Sequence, residues 1–198
     1  REGIFKDAKG IGGEINFNKP YIVVLMHPVT TKNRETSESI NELIIAVKKL
    51  ANQNLQIVWL WPNIDSGGEA VSKAIRTARE SYELKNVHLY KNFPPDQYLI
   101  LINNCKCLIG NSSSGLREGA FLGIPVVNIG SRQQLREASS NVINVDNGSQ
   151  EIFNATMRQI SHGRFKGSDY LGNGQAGDKM CKILSEIKLP SAQKKLYY

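Results

Sequence analysis

The sequence predicts an α/β fold built on a doubly wound parallel sheet, and three observations point there. From residue 21 onward, short β-branched runs alternate with longer amphipathic stretches, the pattern of repeated βαβ units. Several of the short runs are apolar at successive positions, as strands covered on both faces are. The stretch 36–52 carries Ile40, Leu43, Ile44, Val47 and Leu50, a stripe at helical spacing that needs a sheet face to cover it.

The elements follow in order. Residues 1–20, REGIFKDAKGIGGEINFNKP, hold four glycines and no sustained period, and read as a lead-in or interdomain linker. Strands are expected at YIVVLMH (21–27), QIVWLW (56–61), VHLY (87–90), CLIG (107–110), PVVNIG (125–130) and NVINV (141–145). Helical spacing covers 36–52, 67–83, 95–104 and 113–122, with two further helices near 149–161 and 175–187. One Rossmann-like domain is therefore expected over 21–190, followed by a short tail over 191–198. No internal repeat is visible.

Composition narrows the classes of function. The 198 residues are 40% hydrophobic, enough for a sizeable core. The 25 basic against 18 acidic residues give a net charge of +7, scattered rather than blocked, which favours a small anionic ligand over nucleic acid. Cys105, Cys107 and Cys181 cannot all pair, and they read as reduced core thiols of a cytoplasmic protein. His27, His88 and His162 lie far apart, without metal-ligand spacing, so no metal is expected. No apolar run approaches the ~20 residues of a spanning helix, and the first residues show no signal-peptide pattern, so neither a membrane nor a secreted setting is expected.

In an open parallel sheet, ligands bind beyond the carboxyl ends of the strands. The segments there are HPVTT (27–31), PNIDSGG (62–68), NFP (92–94), NSSSG (111–115) and GSRQ (130–133), all polar, small or turn-forming. In NSSSG, Ser112 or Ser113 can cap the following helix, whose free amides and dipole of about half a charge favour an anion, with Ser114 and the other hydroxyls as further donors. Glu118, a turn further on, has the paired oxygens that suit a ribose diol. Arg132 offers a forked donor to phosphate. His27 ends a strand at the same edge, where an imidazole can stabilise charge on a leaving phosphate. Asn63 and Asp65 are placed to orient sugar or phosphate, and Phe93 to flank a base. A capped strand-to-helix turn explains NSSSG equally well from spacing alone, a capping turn explains NIDSGG, and a lone strand-end histidine can be structural. No Gly-Lys-Ser/Thr ends the loop, so it is not a Walker loop.

Taken together, LMHPVTT, LWPNIDSGG, IGNSSSGLREGAFLGIPVVNIGSRQ and the late YLGNGQAGDKM resemble the UDP-N-acetylglucosamine 2-epimerases, particularly the hydrolysing branch of sialic acid synthesis. The resemblance covers nearly all of 20–188. It implies the C-terminal half of a two-domain glycosyltransferase-B-type fold, with His27 catalytic, Asn63, Ser112, Ser113, Glu118 and Arg132 at the UDP, and the backbone at Phe93 against uracil. It further implies elimination of UDP followed by water addition, no cofactor, a missing N-terminal domain as partner, and a homo-oligomer at full length. This chain alone is expected to be inactive. A close relative in the family handles diacetylbacillosamine-type sugars. After GSRQ the family pattern continues with a glycine, then Arg-Glu and another glycine, whereas QLREASSNV places Leu135 and Ala138 here. Two alternatives stay open, a glycosyltransferase nucleotide domain of the same architecture and a non-catalytic UDP-sugar-binding module.

Overall fold

The structure, a computed structural model, describes residues 5, 10–12, 15–29, 33–62, 68–81, 84 and 86–188, with backbone only over 33–37. The chain falls into two compact units, Arg1–Ser168 and Asp169–Tyr198. The first holds seven strands: β1 (Gly10–Ile11), β2 (Tyr21–Leu25), β3 (Gln56–Leu60), β4 (Val87–Tyr90), β5 (Leu108–Gly110), β6 (Val126–Ile129) and β7 (Val142–Val145). They form one sheet in the order β1-β4-β3-β2-β5-β6-β7. Every pairing is parallel except β1 with β4. The helices of this unit are α1 (Asn33–Ala51), α2 (Gly68–Glu80), α3 (Pro95–Asn104), α4 (Ser113–Leu116), α5 (Glu118–Leu122) and α6 (Ser149–His162).

The expected sheet is present because the apolar runs are buried throughout: Tyr21–Leu25 and Val87–Tyr90 are covered at every position. One core gathers the inner stripe of α1, Ile40 to Leu50, with Val71 and Ile75 of α2 and Ile152 of α6 around Ile22, Val24, Ile57 and Trp59. The other gathers Leu101 and Ile102 of α3 with Val23, Leu25, Leu108 and Val126. Alternate residues of β2 thus serve opposite cores, as the pleat requires. α3 begins on a proline whose missing N–H costs nothing at that position.

Helix α6 has no side-chain cap of its own. Instead the Glu42 carboxylate of α1 accepts the Ser149 N–H at 2.7 Å and joins the two helices. Hydrogen bonds from the Ser149 side chain and backbone hold the Glu42 carboxyl below its usual 4.5. A depressed folded-state pKa stabilises above the unfolded value and the contribution is lost as pH falls through the folded value. Thermal melts between pH 6 and 3 should therefore show a steeper acid loss in the unaltered chain than in Glu42→Gln.

In its elements and cysteines the fold departs from the sequence reading in three places. The described residues of 1–20 do more than lead in: β1 extends the sheet edge, and Phe5 and Phe17 are buried in the second core, with ring centroids 4.3 Å apart. The helix expected over 113–122 is broken at Arg117, whose backbone (φ −97°, ψ −80°) is not helical. The break accompanies close packing on β6, where a Cβ on Gly115 would lie 2.8 Å from Val126 Cγ1. Finally, Cys105 and Cys107 are buried core thiols but Cys181 is exposed. Burial pushes the Cys105 thiol up to about 12, which keeps it protonated and inert.

The second unit carries α7 (Ala176–Glu186), with Met180, Ile183 and Leu184 exposed. Among the described residues no helix is long and apolar enough to cross a membrane.

Candidate functional site

The strand order reverses between β2 and β5, and that switch point is where an open α/β sheet leaves a crevice. His27 follows β2 and Asn111 follows β5. Asn111 is fully buried and its amide brackets the His27 backbone: Oδ1 accepts the His27 N–H at 2.7 Å and Nδ2 donates to the His27 carbonyl at 2.9 Å. The Asn111 N–H in turn donates to the Leu25 carbonyl at 3.2 Å. Its own carbonyl accepts Arg132 Nη1 at 3.2 Å and Gln133 Nε2 at 2.7 Å. One asparagine thus ties together the ends of β2, β5 and β6.

Gly110 makes this approach possible. Its φ is +137°, and a Cβ there would lie 2.0 Å from the Leu25 carbonyl oxygen. The strands therefore close on each other at the switch point only because residue 110 has no side chain. A small cavity of about 20 Å³, lined by His27, Asn111, Gly130 and Ser131 among others, marks the convergence. His27 itself is 6% exposed, at the floor of the strand ends rather than out on the surface.

Ser112 takes an extended conformation (φ −75°, ψ 140°) and caps the next turn, its Oγ accepting the Ser114 N–H at 3.3 Å. Ser113 is half-buried, and its hydroxyl has no hydrogen bond among the described residues. The Tyr98 hydroxyl lies 2.7 Å from Ser114 Oγ. Burial pushes the Tyr98 phenol up to about 12; the Ser114 hydrogen bond opposes this and the nearby Glu118 charge adds to it. Glu118 is exposed and stands close enough to Tyr98 to act on it, on the serine side of the site. Because α4 is only four residues long, the half-charge dipole expected of a single long helix does not apply, and anion affinity must come from free amides, hydroxyls and Arg132.

Phe93 is a correction. Its ring is 8% exposed and packs in the second core, 4.9 Å from the Tyr90 ring and 5.7 Å from that of Phe5. The ring is therefore committed to the core and only the backbone is left to meet a base. Asn63 and Asp65 lie outside the described residues. Leu135 takes a left-handed backbone (φ 64°) and its side chain is fully exposed. That conformation costs a leucine about 1–2 kcal/mol that a glycine at the same place would be spared. Two residues of the site escaped the sequence reading. Asn111 reads as one more turn former, and Tyr98 lies in the apolar run YLILI that reads as core.

The sequence model described as UDP-N-acetylglucosamine 2-epimerase matches residues 3–185. The chain is 32% identical over 174 residues to a UDP-N,N'-diacetylbacillosamine 2-epimerase (hydrolyzing) of Legionella pneumophila, covering 88% of this chain and 45% of that protein. It is 27% identical over 180 residues to a UDP-N-acetylglucosamine 2-epimerase of Neisseria meningitidis, covering 88% and 46%. Among solved structures it is similar to the Methanocaldococcus jannaschii UDP-GlcNAc 2-epimerase in complex with UDP-GlcNAc and UDP. There the TM-score is 0.70 at 15% identity, over 93% of this chain and 49% of that one. Escherichia coli ADP-heptose lps heptosyltransferase II shares the fold less closely, at a TM-score of 0.53 and 16% identity over 72% of this chain and 48% of that one. The fold is thus the Rossmann-like half of a glycosyltransferase-B-type architecture, and the chain spans about half the length of the curated relatives it matches. By a match that runs over most of its length, the chain belongs to the UDP-N-acetylglucosamine 2-epimerase family.

Proposed function

We propose that this chain is the UDP-binding half of a hydrolysing UDP-sugar 2-epimerase. The observation that carries the reading is the Asn111 bracket, which holds the His27 segment, the serine turn and Arg132 at one switch point. Pyrophosphate then lies against Ser112, Ser113 and Arg132, the ribose diol against Glu118, and uracil against the backbone near Phe93. Asn63 and Asp65 orient the sugar or phosphate, with Ser114 behind the phosphate site. Donors aimed at the phosphates favour departure of UDP, and His27 stabilises the charge that develops on it.

The reaction in the full-length protein is a loss of the sugar C2 proton with cleavage of the C1–O bond. UDP takes the bonding electron pair and a 2-acetamidoglucal remains. Water then adds its hydroxyl to C1 and a proton to C2, releasing the epimerised free sugar. Moving the C2 proton requires an acid and a base, and the missing N-terminal half supplies the other wall of the cleft. The family relationship and the half-length coverage support this division of labour. A diacetylated bacillosamine is a second reading of the sugar, favoured by the printed specificity of the Legionella pneumophila relative.

The test has two stages. Calorimetry of the chain with UDP should give weak binding, with a dissociation constant of about 0.1–10 mM for half a cleft, and no turnover of UDP-GlcNAc. When the chain is joined to its N-terminal half, chromatography should show UDP released from UDP-GlcNAc or its diacetylbacillosamine counterpart without any acceptor, and His27→Ala should reduce turnover far more than it lowers the melting temperature. Absence of UDP binding overturns the nucleotide site. UDP release only when a sugar acceptor is present favours a glycosyltransferase, and binding without any turnover a non-catalytic module.

A further inference from the structure

Tyr98 stands on α3, outside every motif that identifies the family, yet its hydroxyl reaches into the serine turn. Tyr98 Oη lies 2.7 Å from Ser114 Oγ, and Ser114 Oγ lies 3.0 Å from Ser112 Oγ. Three hydroxyls in a line have three protons, and two of them are used between neighbours. The third is left at whichever end the line points toward, since Ser114 accepting from both sides would leave its own proton with no acceptor among the described residues.

The direction follows from what each end can do. If the line ran from Ser112 to Tyr98, the Tyr98 proton would have no acceptor, because Ser114 is the only partner of that hydroxyl among the described residues. Stranding a largely covered O–H is costly. If the line runs from Tyr98 to Ser112, the phenol donates to Ser114, Ser114 donates to Ser112, and the Ser112 proton is left over. Ser112 Oγ then accepts from both the hydroxyl and the N–H of Ser114, so its remaining capacity is to donate. Burial of the phenol, and after it the neighbouring Glu118 charge, oppose its ionisation, so the donor at the head of the line persists through the physiological range.

We propose that Tyr98 is a positioning residue that fixes a Tyr98→Ser114→Ser112 hydroxyl relay, presenting Ser112 Oγ–H as a donor to the phosphoryl oxygens of a nucleoside diphosphate and so favouring charged over neutral nucleosides. The proposal rests on the nucleotide site described under Proposed function, but not on the dipole of a four-residue helix. Hydrogen bonds in a chain polarise one another, and an anion at the far end of this one strengthens all three. A neutral nucleoside, with no phosphoryl oxygen to accept from Ser112, gains nothing from it.

The experiment is a titration of the chain with UDP, inorganic pyrophosphate and uridine, in the unaltered form, Tyr98→Phe, Ser114→Ala and the double variant. Tyr98→Phe keeps the ring and removes only the head of the relay, and circular dichroism melts check that each variant is folded. The expected result is a loss of about 3–10-fold in UDP and pyrophosphate affinity for Tyr98→Phe. Uridine affinity should change by less than about 2-fold, and the double variant should be no weaker than Ser114→Ala, since both break one line. UDP affinity unchanged in both single variants, or an equal loss for uridine, overturns the relay while leaving the nucleotide site standing. If the unaltered chain binds neither UDP nor pyrophosphate, the nucleotide site fails and the relay with it.

Discussion

Gly110→Ala is expected to lower the melting temperature by about 4–24 °C. Two contributions add. The left-handed backbone at φ +137° carries a strain of about 1–3 kcal/mol for a residue with a side chain. A Cβ 2.0 Å from the Leu25 carbonyl oxygen also forces β2 and β5 apart, an overpacking effect of about 1–3 kcal/mol. Neither neighbour yields easily, since the obstructing atoms are main chain in the centre of the sheet. The substitution also moves Asn111, the next residue, so UDP binding should fall in the fraction that still folds. A differential scanning calorimetry shift under about 3 °C would show that the strands tolerate separation, and the switch point would lose its claim to be rigid.

Ser113→Asp should abolish UDP binding and leave uridine binding nearly intact. A carboxylate about 4 Å from a phosphate oxygen, at the effective dielectric of a protein surface, costs on the order of 4 kcal/mol before screening, a factor of almost a thousand. The folded state should not suffer, because the Ser113 hydroxyl holds no partner among the described residues and its side chain is only half-buried. Stability therefore serves as the internal control. Equal weakening of UDP and uridine, or unimpaired UDP binding, would reduce NSSSG to a capped turn with no ligand.

How far the sequence could be read depended on whether the signal was local. VHLY was legible to the residue as β4 because a short run of Val, Leu and Tyr around one histidine, bounded by polar turns, reads as a strand. The stripe from Ile40 to Leu50 was legible as α1 for the same reason. β1 was not, since two residues carry no period and their partners, Leu89 and Tyr90, are remote in sequence. The break at Arg117 was hidden because the apolar spacing runs straight through it, and only the backbone angles of that residue show it. At the site, the serines and Arg132 announced themselves by type and place. Asn111 did not, because its role is to hold the backbone of a residue at the end of another strand. Phe93 misled in the opposite sense, since an aromatic beside prolines reads as available to a base until its packing against Tyr90 is known.

The strand order has a consequence for the chain as it leaves the ribosome. β2, β3 and β4 are consecutive and can pair as they emerge, but the second neighbour of β2 is β5, with Val23 opposite Leu108. Until residue 110 has been made, YIVVL stands as an unpaired edge in a half-built sheet, the kind of edge that recruits other chains. The crevice at the switch point cannot exist before that closure, so competence to hold a nucleotide arrives late in synthesis and all at once. A ribosome-bound chain stalled shortly before β5 should accordingly be aggregation-prone and chaperone-bound, and one stalled after β7 and α6 have emerged should be neither.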